Sequence, residues 1–323
     1  MSTQISNGSI LDRLVSKIRK PDIWLRETKL NGKHALTKIS DADSTIVFQF
    51  AENIFDTSKI HTFIYQDLSV SYIEYMMDNM PEVYAVSAFQ GYPSKSIRKR
   101  ALYQNKYYED CSGIFTMGRW LANDMISRCK IDPSKVHPVG GGINLDRRLI
   151  IDTNKTGNKI LFVGRDFARK GGYIVVNAFK ELKKRRGNIE LYVAGPKVDP
   201  VTENIDGYHF MGDCDYKKTA ELFNMCDVFC MPSYFEAYGL VFVEALSFGL
   251  PVIARNAYEM PYLIDNGVTG LLLEEDDKDC LADMMEQVLE DASFKENVHS
   301  RHDFYLSEYS WSKVAERIHE VIG

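Results

Sequence analysis

Between Leu161 and Leu273 short apolar runs alternate with helix-length segments, and no other feature constrains the fold as tightly. Leu161–Gly164, Glu190–Ala194, Tyr208–Met211, Asp227–Met231, Pro251–Ala254 and Gly270–Leu273 read as buried strands. Gly172–Arg185, Lys217–Met225, Gly239–Phe248 and Lys278–Asp291 read as helices; the first of these has apolar residues at Ile174, Val175, Ala178, Phe179 and Leu182. Strands that alternate with helices in this way close βαβ units and build a parallel sheet. Ligands of such sheets lie beyond the carboxyl ends of the strands, so the informative residues should follow strands.

The first half carries the same rhythm less clearly. Thr45–Phe50, His61–Tyr65, Val83–Phe89, Gly113–Met117 and Val136–Val139 are expected strands. Ile10–Arg19, Val70–Asn79, Ser96–Asp110 and Arg119–Arg128 are expected helices, and Ile23–Ile39 is open to a reading as two short strands. At 323 residues the chain is long for a single core and suits two α/β domains. A polar linker near Asp146–Asn158 separates an N-terminal domain, 1–150, from a C-terminal one, 151–305, with 306–323 as a final helix.

Composition excludes several classes. No apolar run approaches the roughly 18–20 residues that span a bilayer, and the start lacks the apolar core of a signal peptide. A cytoplasmic protein is expected. Cys111, Cys129, Cys214, Cys226, Cys230 and Cys280 are scattered without zinc-ligand spacing, so no metal site is expected. Charge is uneven: residues 1–150 hold 20 Lys+Arg against 16 Asp+Glu, and residues 151–323 hold 19 against 29. Either the halves face different partners, the basic one an anionic surface, or the surfaces simply vary.

Two clusters carry chemistry. In the first, Gly164 ends a strand, Arg165 and Lys170 follow on the same loop, and Gly171-Gly172 opens a helix. Two cations beside a helix N-terminus, with its free N–H groups and positive dipole end, suit a diphosphate. The competing reading is a solvated basic loop, since Arg169 adjoins Lys170. In the second, Glu236 lies in the loop between a strand and a helix, Gly239 opens that helix, and Glu244 falls in its second turn. Carboxylates accept hydrogen bonds from paired sugar hydroxyls. Glu244 sits among Val241, Phe242, Val243, Ala245 and Leu246, so its helix is buried and its carboxylate needs a partner.

In order along the chain, VGRDFARKGG, YVAGP, FMGD, CDVFCMPSYFEAYGLVFVEALSFGLPVIA and NGVTGLLLEEDD resemble the donor-binding domain of the GT-B-fold retaining glycosyltransferases of family 4. FEAYGLVFVEA matches that family's pair of glutamates eight residues apart, and VHPVGGGIN resembles its hinge segment. The resemblance runs from Val136 to the C-terminus. It implies two Rossmann-like, doubly wound domains facing across a cleft, the final helix crossing back to the first. It implies transfer of a sugar from a nucleotide-diphosphate-sugar without a metal or other cofactor. Arg165 and Lys170 would neutralise the diphosphate, Glu236 would contact the transferred sugar, and Glu244 the ribose. Backbone N–H groups at Tyr238, Gly239 and Leu240 would hold donor oxygens, Gly164 would border them, and Met211 would border the base.

The first half departs from the pattern. The family's N-terminal glycine-rich loop has Asn31-Gly32-Lys33 as its nearest substitute, and the domain is short. Asp67 stands where the family has an acceptor- or sugar-contacting step, with helix capping as the alternative; His61 begins its strand and is given no catalytic role. Ser94–Lys106 holds five cations and no acid, with tyrosines following. It reads as a peripheral contact with an anionic membrane, a grip on an anionic acceptor, or a solvated helix face. Gln90–Pro93 is expected to follow a strand and Gly118-Arg119 to face the cleft. The expected partners are the nucleotide-sugar donor and a glycan or lipid-linked acceptor in cell-surface polysaccharide synthesis, with no nucleic acid. A non-catalytic nucleotide- or glycan-binding GT-B module is the alternative.

Overall fold

The computed structural model describes residues 46–50, 61–151 and 157–323. The expected helix Ile10–Arg19, the segment Ile23–Ile39, Asn31-Gly32-Lys33 and part of the linker lie outside these residues. The chain forms two compact units. The first comprises Met1–Tyr84, Phe89–Phe115 and Asp124–His137; the second comprises Ala85–Ala88, Thr116–Asn123 and Pro138–Gly323.

The first unit is built on a four-stranded sheet in the order β1 (Ile46–Phe50), β2 (His61–Gln66), β3 (Gly113–Thr116), β4 (Val136–Pro138). β1 and β2 run parallel, with Ile46 opposite His61. Helices α1 (Val70–Asn79) and α3 (Ser94–Asp110) accompany these strands, while α2 (Pro81–Val86) and α4 (Arg119–Ser127) each have residues in both units. Ser69 caps α1 by accepting the Tyr72 N–H. Gln66 is buried and exchanges hydrogen bonds with the Tyr108 hydroxyl at 2.7 and 2.9 Å. Gln66, the residue before Asp67, therefore belongs to the core.

The segment Val83–Phe89, expected as a strand, is helical over Pro81–Val86. Its β-branched valines argue for a strand only when a sheet face covers them, and no residue of α2 is buried. Pro81 presets the first helical φ and Glu82 favours the positive helix end, so local chemistry prevails. Gln90–Pro93 consequently follows a helix and a turn, not a strand.

The second unit holds a six-stranded parallel sheet in the order β10-β9-β8-β5-β6-β7. The strands are β5 (Lys159–Val163), β6 (Glu190–Ala194), β7 (Tyr208–Gly212), β8 (Val228–Cys230), β9 (Val252–Arg255) and β10 (Gly270–Leu273). Between them run α5 (Gly172–Arg185), α6 (Tyr216–Met225), α7 (Leu240–Ser247) and α8 (Met260–Leu263); α9 (Lys278–Glu290), α10 (Ala292–Ser300), α11 (His302–Glu308) and α12 (Trp311–Ile322) follow. The buried face of α5 is the predicted one, with Val175, Ala178, Phe179 and Leu182 all fully buried. Among the described residues no helix is long and apolar enough to cross a membrane.

This strand order positions the site. The chain enters at β5, winds outward through β6 to the edge strand β7, then returns to lay β8 against the other side of β5. The carboxyl ends of β5 and β8 are thus neighbours whose following loops depart in opposite winding directions, which opens a crevice above them. Gly164 follows β5 and Pro232–Gly239 follows β8, so the two predicted clusters meet there although some 70 positions separate them.

Candidate donor-binding site

Lys170 reaches the centre of this crevice because Gly164 has no side chain. A Cβ at position 164 would stand 2.3 Å from Lys170 Cδ. The lysine stem lies across that glycine, and its Nζ comes within 3.3 Å of Glu236 Oε2. Both side chains are largely enclosed, 15% and 16% exposed. The amino end of α5 opens two residues later, beyond Gly171. A cation and a helix N-terminus therefore share one loop at the strand's end, the combination that favours an anion.

Arg165 and Arg169 divide differently from expectation. Arg165 is 80% exposed and pairs with Asp213 at 3.2 Å. Arg169, taken as a sign of a solvated loop, is only 17% exposed. Its Nη1 donates to the Phe235 carbonyl at 2.5 Å and lies 3.4 Å from Glu236 Oε2, while its Nε donates to Asp166 at 3.0 Å. The structure thus brings Lys170, Arg169 and Glu236 together. The signal for Arg169 was its place beside Lys170 on the same short loop.

The loop after β8 is shaped by its own polar contacts. Ser233 is buried and its hydroxyl donates to the Phe235 carbonyl at 2.9 Å. Gly239 is the cap residue just before α7, with φ of 89°, a left-handed conformation that favours glycine. Tyr238 is buried and its hydroxyl accepts the Gly141 N–H at 3.1 Å, while Leu240 is the first residue of α7. The backbone at 238–240 therefore stands at a helix start beside Glu236.

Glu244 lies on α7, among the buried Phe242, Val243, Ala245 and Leu246. Burial pushes its carboxyl up to about 7, against the opposing pull of the Asn144 and Leu145 N–H groups and the Lys170 charge. The Asn144 N–H approaches Glu244 Oε1 at 3.4 Å, and Trp311 Nε1 donates to Asn144 Oδ1 at 3.1 Å. These are the partners that a lone acid on an apolar helix required. Asn144 sits in the GGGIN segment, but nothing in its spacing links it to Glu244.

Met211 lies on β7, separated from β5 by β6, and Cys214 Sγ contacts its carbonyl at 3.5 Å. Asp67 follows β2 in the first unit and is exposed. Gly118-Arg119 lies in the second unit, where Arg119 joins Tyr238, Glu259, Tyr309 and Arg317 around a small pocket. Glu259, absent from the expected site, is 3% exposed. Burial raises its carboxyl to about 7 while the Trp120 and Arg119 N–H groups lower it.

With this geometry in view, residues 147–304 match the family described as Glycosyl transferases group 1. An uncharacterized 41.2 kDa protein in the cps region of Klebsiella pneumoniae is 32% identical over 176 residues, covering 49% of this chain and 48% of that protein. The phosphatidyl-myo-inositol mannosyltransferase of Mycolicibacterium smegmatis is 27% identical over 218 residues, covering 64% of this chain and 56% of that protein. The chain thus spans about half the length of these curated relatives. Among solved structures, sucrose-phosphate synthase from Thermosynechococcus elongatus aligns with a TM-score of 0.65 at 16% identity, over 88% of this chain and 75% of its own. That likeness concerns the fold, an α/β architecture of the GT-B class with two parallel sheets. The residues of the crevice and the ordered motifs around them thus fall within the segment, 147–304, that is similar to the glycosyl transferases group 1 family.

Proposed function

We propose that the protein is a glycosyltransferase that takes its sugar from a nucleotide-diphosphate-sugar and passes it, with retention at the anomeric carbon, to a glycan or lipid-linked acceptor. The observation that carries this reading is the enclosed contact of Lys170 with Glu236 at 3.3 Å, at the junction of β5 and β8. Lys170 and the N–H groups opening α5 take the donor diphosphate; Arg165 adds its charge by turning from the exposed Asp213. As the bond from the anomeric carbon to phosphate breaks, negative charge grows on the leaving oxygen, and a cation held in a partly desolvated site stabilises it. Glu236 accepts from the hydroxyls of the transferred sugar, Glu244 from the ribose, and the N–H groups at 238–240 hold donor oxygens. Met211 borders the base. These groups carry the leaving-group charge in a scheme that uses no metal or other cofactor. Asp67 is the contact for the acceptor hydroxyl.

The acceptor class rests on analogy with the relatives' names, a cps-region protein and a phosphatidyl-inositol mannosyltransferase. It also draws on α3. Lys95, Lys99, Leu102 and Lys106 fall at spacings of four, three and four, and so share one helical face, and all four are exposed, Leu102 by 71%. A basic stripe with an apolar residue at its centre suits an anionic membrane surface at the cytoplasmic face. In this reading the enzyme works there, on cell-surface polysaccharide or glycoconjugate.

Incubation with UDP-, GDP- and ADP-sugars and extracted lipid-linked glycans should release nucleoside diphosphate, undiminished by EDTA, and give an α-linked product from an α-linked donor. Binding of a nucleotide without turnover against any acceptor would favour the non-catalytic module instead.

A further inference from the structure

We infer that Trp120 and Glu259 are positioning residues that fix the loop bearing Glu236. Trp120 Nε1 donates to the Ala237 carbonyl at 2.5 Å, across 117 positions of sequence and within the second unit. Arg169 and Ser233 hold the Phe235 carbonyl on the other side of Glu236. The carbonyls before and after that glutamate are therefore both tied to side chains of other segments. An aromatic stack reinforces the grip: the Trp120 ring meets Tyr258 at 5.3 Å and 80°, and Tyr258 meets Phe235 at 5.0 Å and 87°. Edge-to-face contacts of this kind fix ring orientation as well as separation.

Trp120 is itself anchored by Glu259. Its backbone N–H donates to Glu259 Oε2 at 3.1 Å, so the buried carboxylate caps the amino end of α4 from 139 positions away. A side chain at Gly118 would stand 2.5 Å from that same oxygen, so glycine there admits the carboxylate. The result is a relay, Glu259 to Trp120 to Ala237, that ends one residue from Glu236. None of its members touches the donor in the scheme above; the relay sets where Glu236 stands. A misplacement of about 1 Å in a group that meets the reacting sugar costs on the order of a hundredfold in rate.

The inference rests on the proposed function only for its kinetic consequence; the restraint itself is measurable without a donor. Hydrogen–deuterium exchange on the full chain should be about tenfold faster in Trp120→Phe than in wild type for the peptide over 233–240, and unchanged in α9. Trp120→Phe keeps an aromatic ring in the stack and loses the N–H together with the five-membered ring that carries it. Glu259→Ala should reproduce the effect. Glu259→Gln, which keeps a carbonyl acceptor for the Trp120 N–H, should exchange like wild type. Exchange at 233–240 that is unaltered in Trp120→Phe, or raised throughout the chain, would overturn the inference. So would Glu259→Gln matching Glu259→Ala. With a donor in hand, Trp120→Phe should lower kcat by about tenfold to a hundredfold while changing the Kd for the nucleoside diphosphate less than about threefold. A kcat within twofold of wild type would refute the positioning role, and a wild-type chain that turns over no donor would refute the proposed function while leaving the exchange result to decide the relay.

Discussion

Lys170 Nζ stands 3.3 Å from Glu236 Oε2, with each side chain about six-sevenths enclosed. The pair joins the loop after β5 to the loop after β8, and so ties the diphosphate end of the proposed site to its sugar end. Replacing the lysine by methionine keeps the stem and removes the charge. Arg169, at 3.4 Å, would remain as the carboxylate's partner, so the loss of stability should be modest, about 1–2 kcal/mol. Turnover should fall by about a hundredfold or more, because the leaving phosphate loses its cation. Urea denaturation and nucleoside diphosphate release measured on the same preparation separate the two effects.

Gly164 should tolerate no side chain without moving that lysine. In Gly164→Ala the new methyl group would meet the Lys170 stem, 2.3 Å from Cδ in the present geometry. Overpacking of this kind costs about 1–3 kcal/mol where nothing yields. The lysine stem yields first, so the protein should fold while its affinity for a nucleoside diphosphate weakens by about tenfold. Calorimetric titration checks this; unchanged affinity would mean that Lys170 is not held by Gly164.

Glu244 sets a pH dependence with a defined sign. Its carboxyl keeps its proton in the folded chain up to about pH 7, whereas its ordinary value is 4.5. Folding takes up a proton between these values. The group's contribution to stability is complete below pH 4.5 and is lost as pH rises through about 7. By pH 8 the loss amounts to roughly 3 kcal/mol at most. Glu259 is raised in the same sense, so the comparison is made against Glu244→Gln, which leaves Glu259 in place. The melting temperature of Glu244→Gln should gain on wild type between pH 5 and pH 8. Nucleoside diphosphate affinity should rise over that range in wild type, where a carboxylate meets the ribose, and stay flatter in the variant.

The exposed stripe of α3 makes a prediction about vesicles. Arg98 is paired with Glu74 at 3.0 Å and Asp78 at 2.7 Å; Lys95, Lys99 and Lys106 are the exposed lysines that share the face of Leu102. Each cation near an anionic surface contributes on the order of 1 kcal/mol. The protein should sediment with vesicles rich in phosphatidylglycerol and not with neutral ones, less so at high salt. The triple variant Lys95→Gln, Lys99→Gln, Lys106→Gln should lose most of this binding and keep its melting temperature. Equal binding by the triple variant would assign the stripe to solvent.

The strands of the second unit were legible because a buried parallel strand is a local pattern, a short apolar run followed by a break. β6 and β10 begin and end where Glu190–Ala194 and Gly270–Leu273 predict. Val83–Phe89 misled because its valines imitate a buried strand, whereas none of the helix's own residues is buried; Pro81 and Glu82, just ahead of it, were the better guide. Arg169 misled for the opposite reason: a basic loop looks solvated until a second loop closes on it, and the carbonyl it binds belongs to Phe235, 66 positions on.

By itself the sequence determined the parallel α/β class, the helix that buries Glu244, and the set of charged groups available at the strand ends. Each depends on spacings of a few residues, which periodicity reports directly. Tertiary structure alone decided which of those groups act together. The reversal of winding that sets β8 against β5 puts Glu236 beside Lys170 and Arg169 while Arg165 turns to Asp213. Enclosure there also decides charge, since burial is what raises Glu244 and Glu259 toward neutrality. Partner and burial are properties of the packed chain, and no local pattern encodes that the Trp120 indole ends at the Ala237 carbonyl.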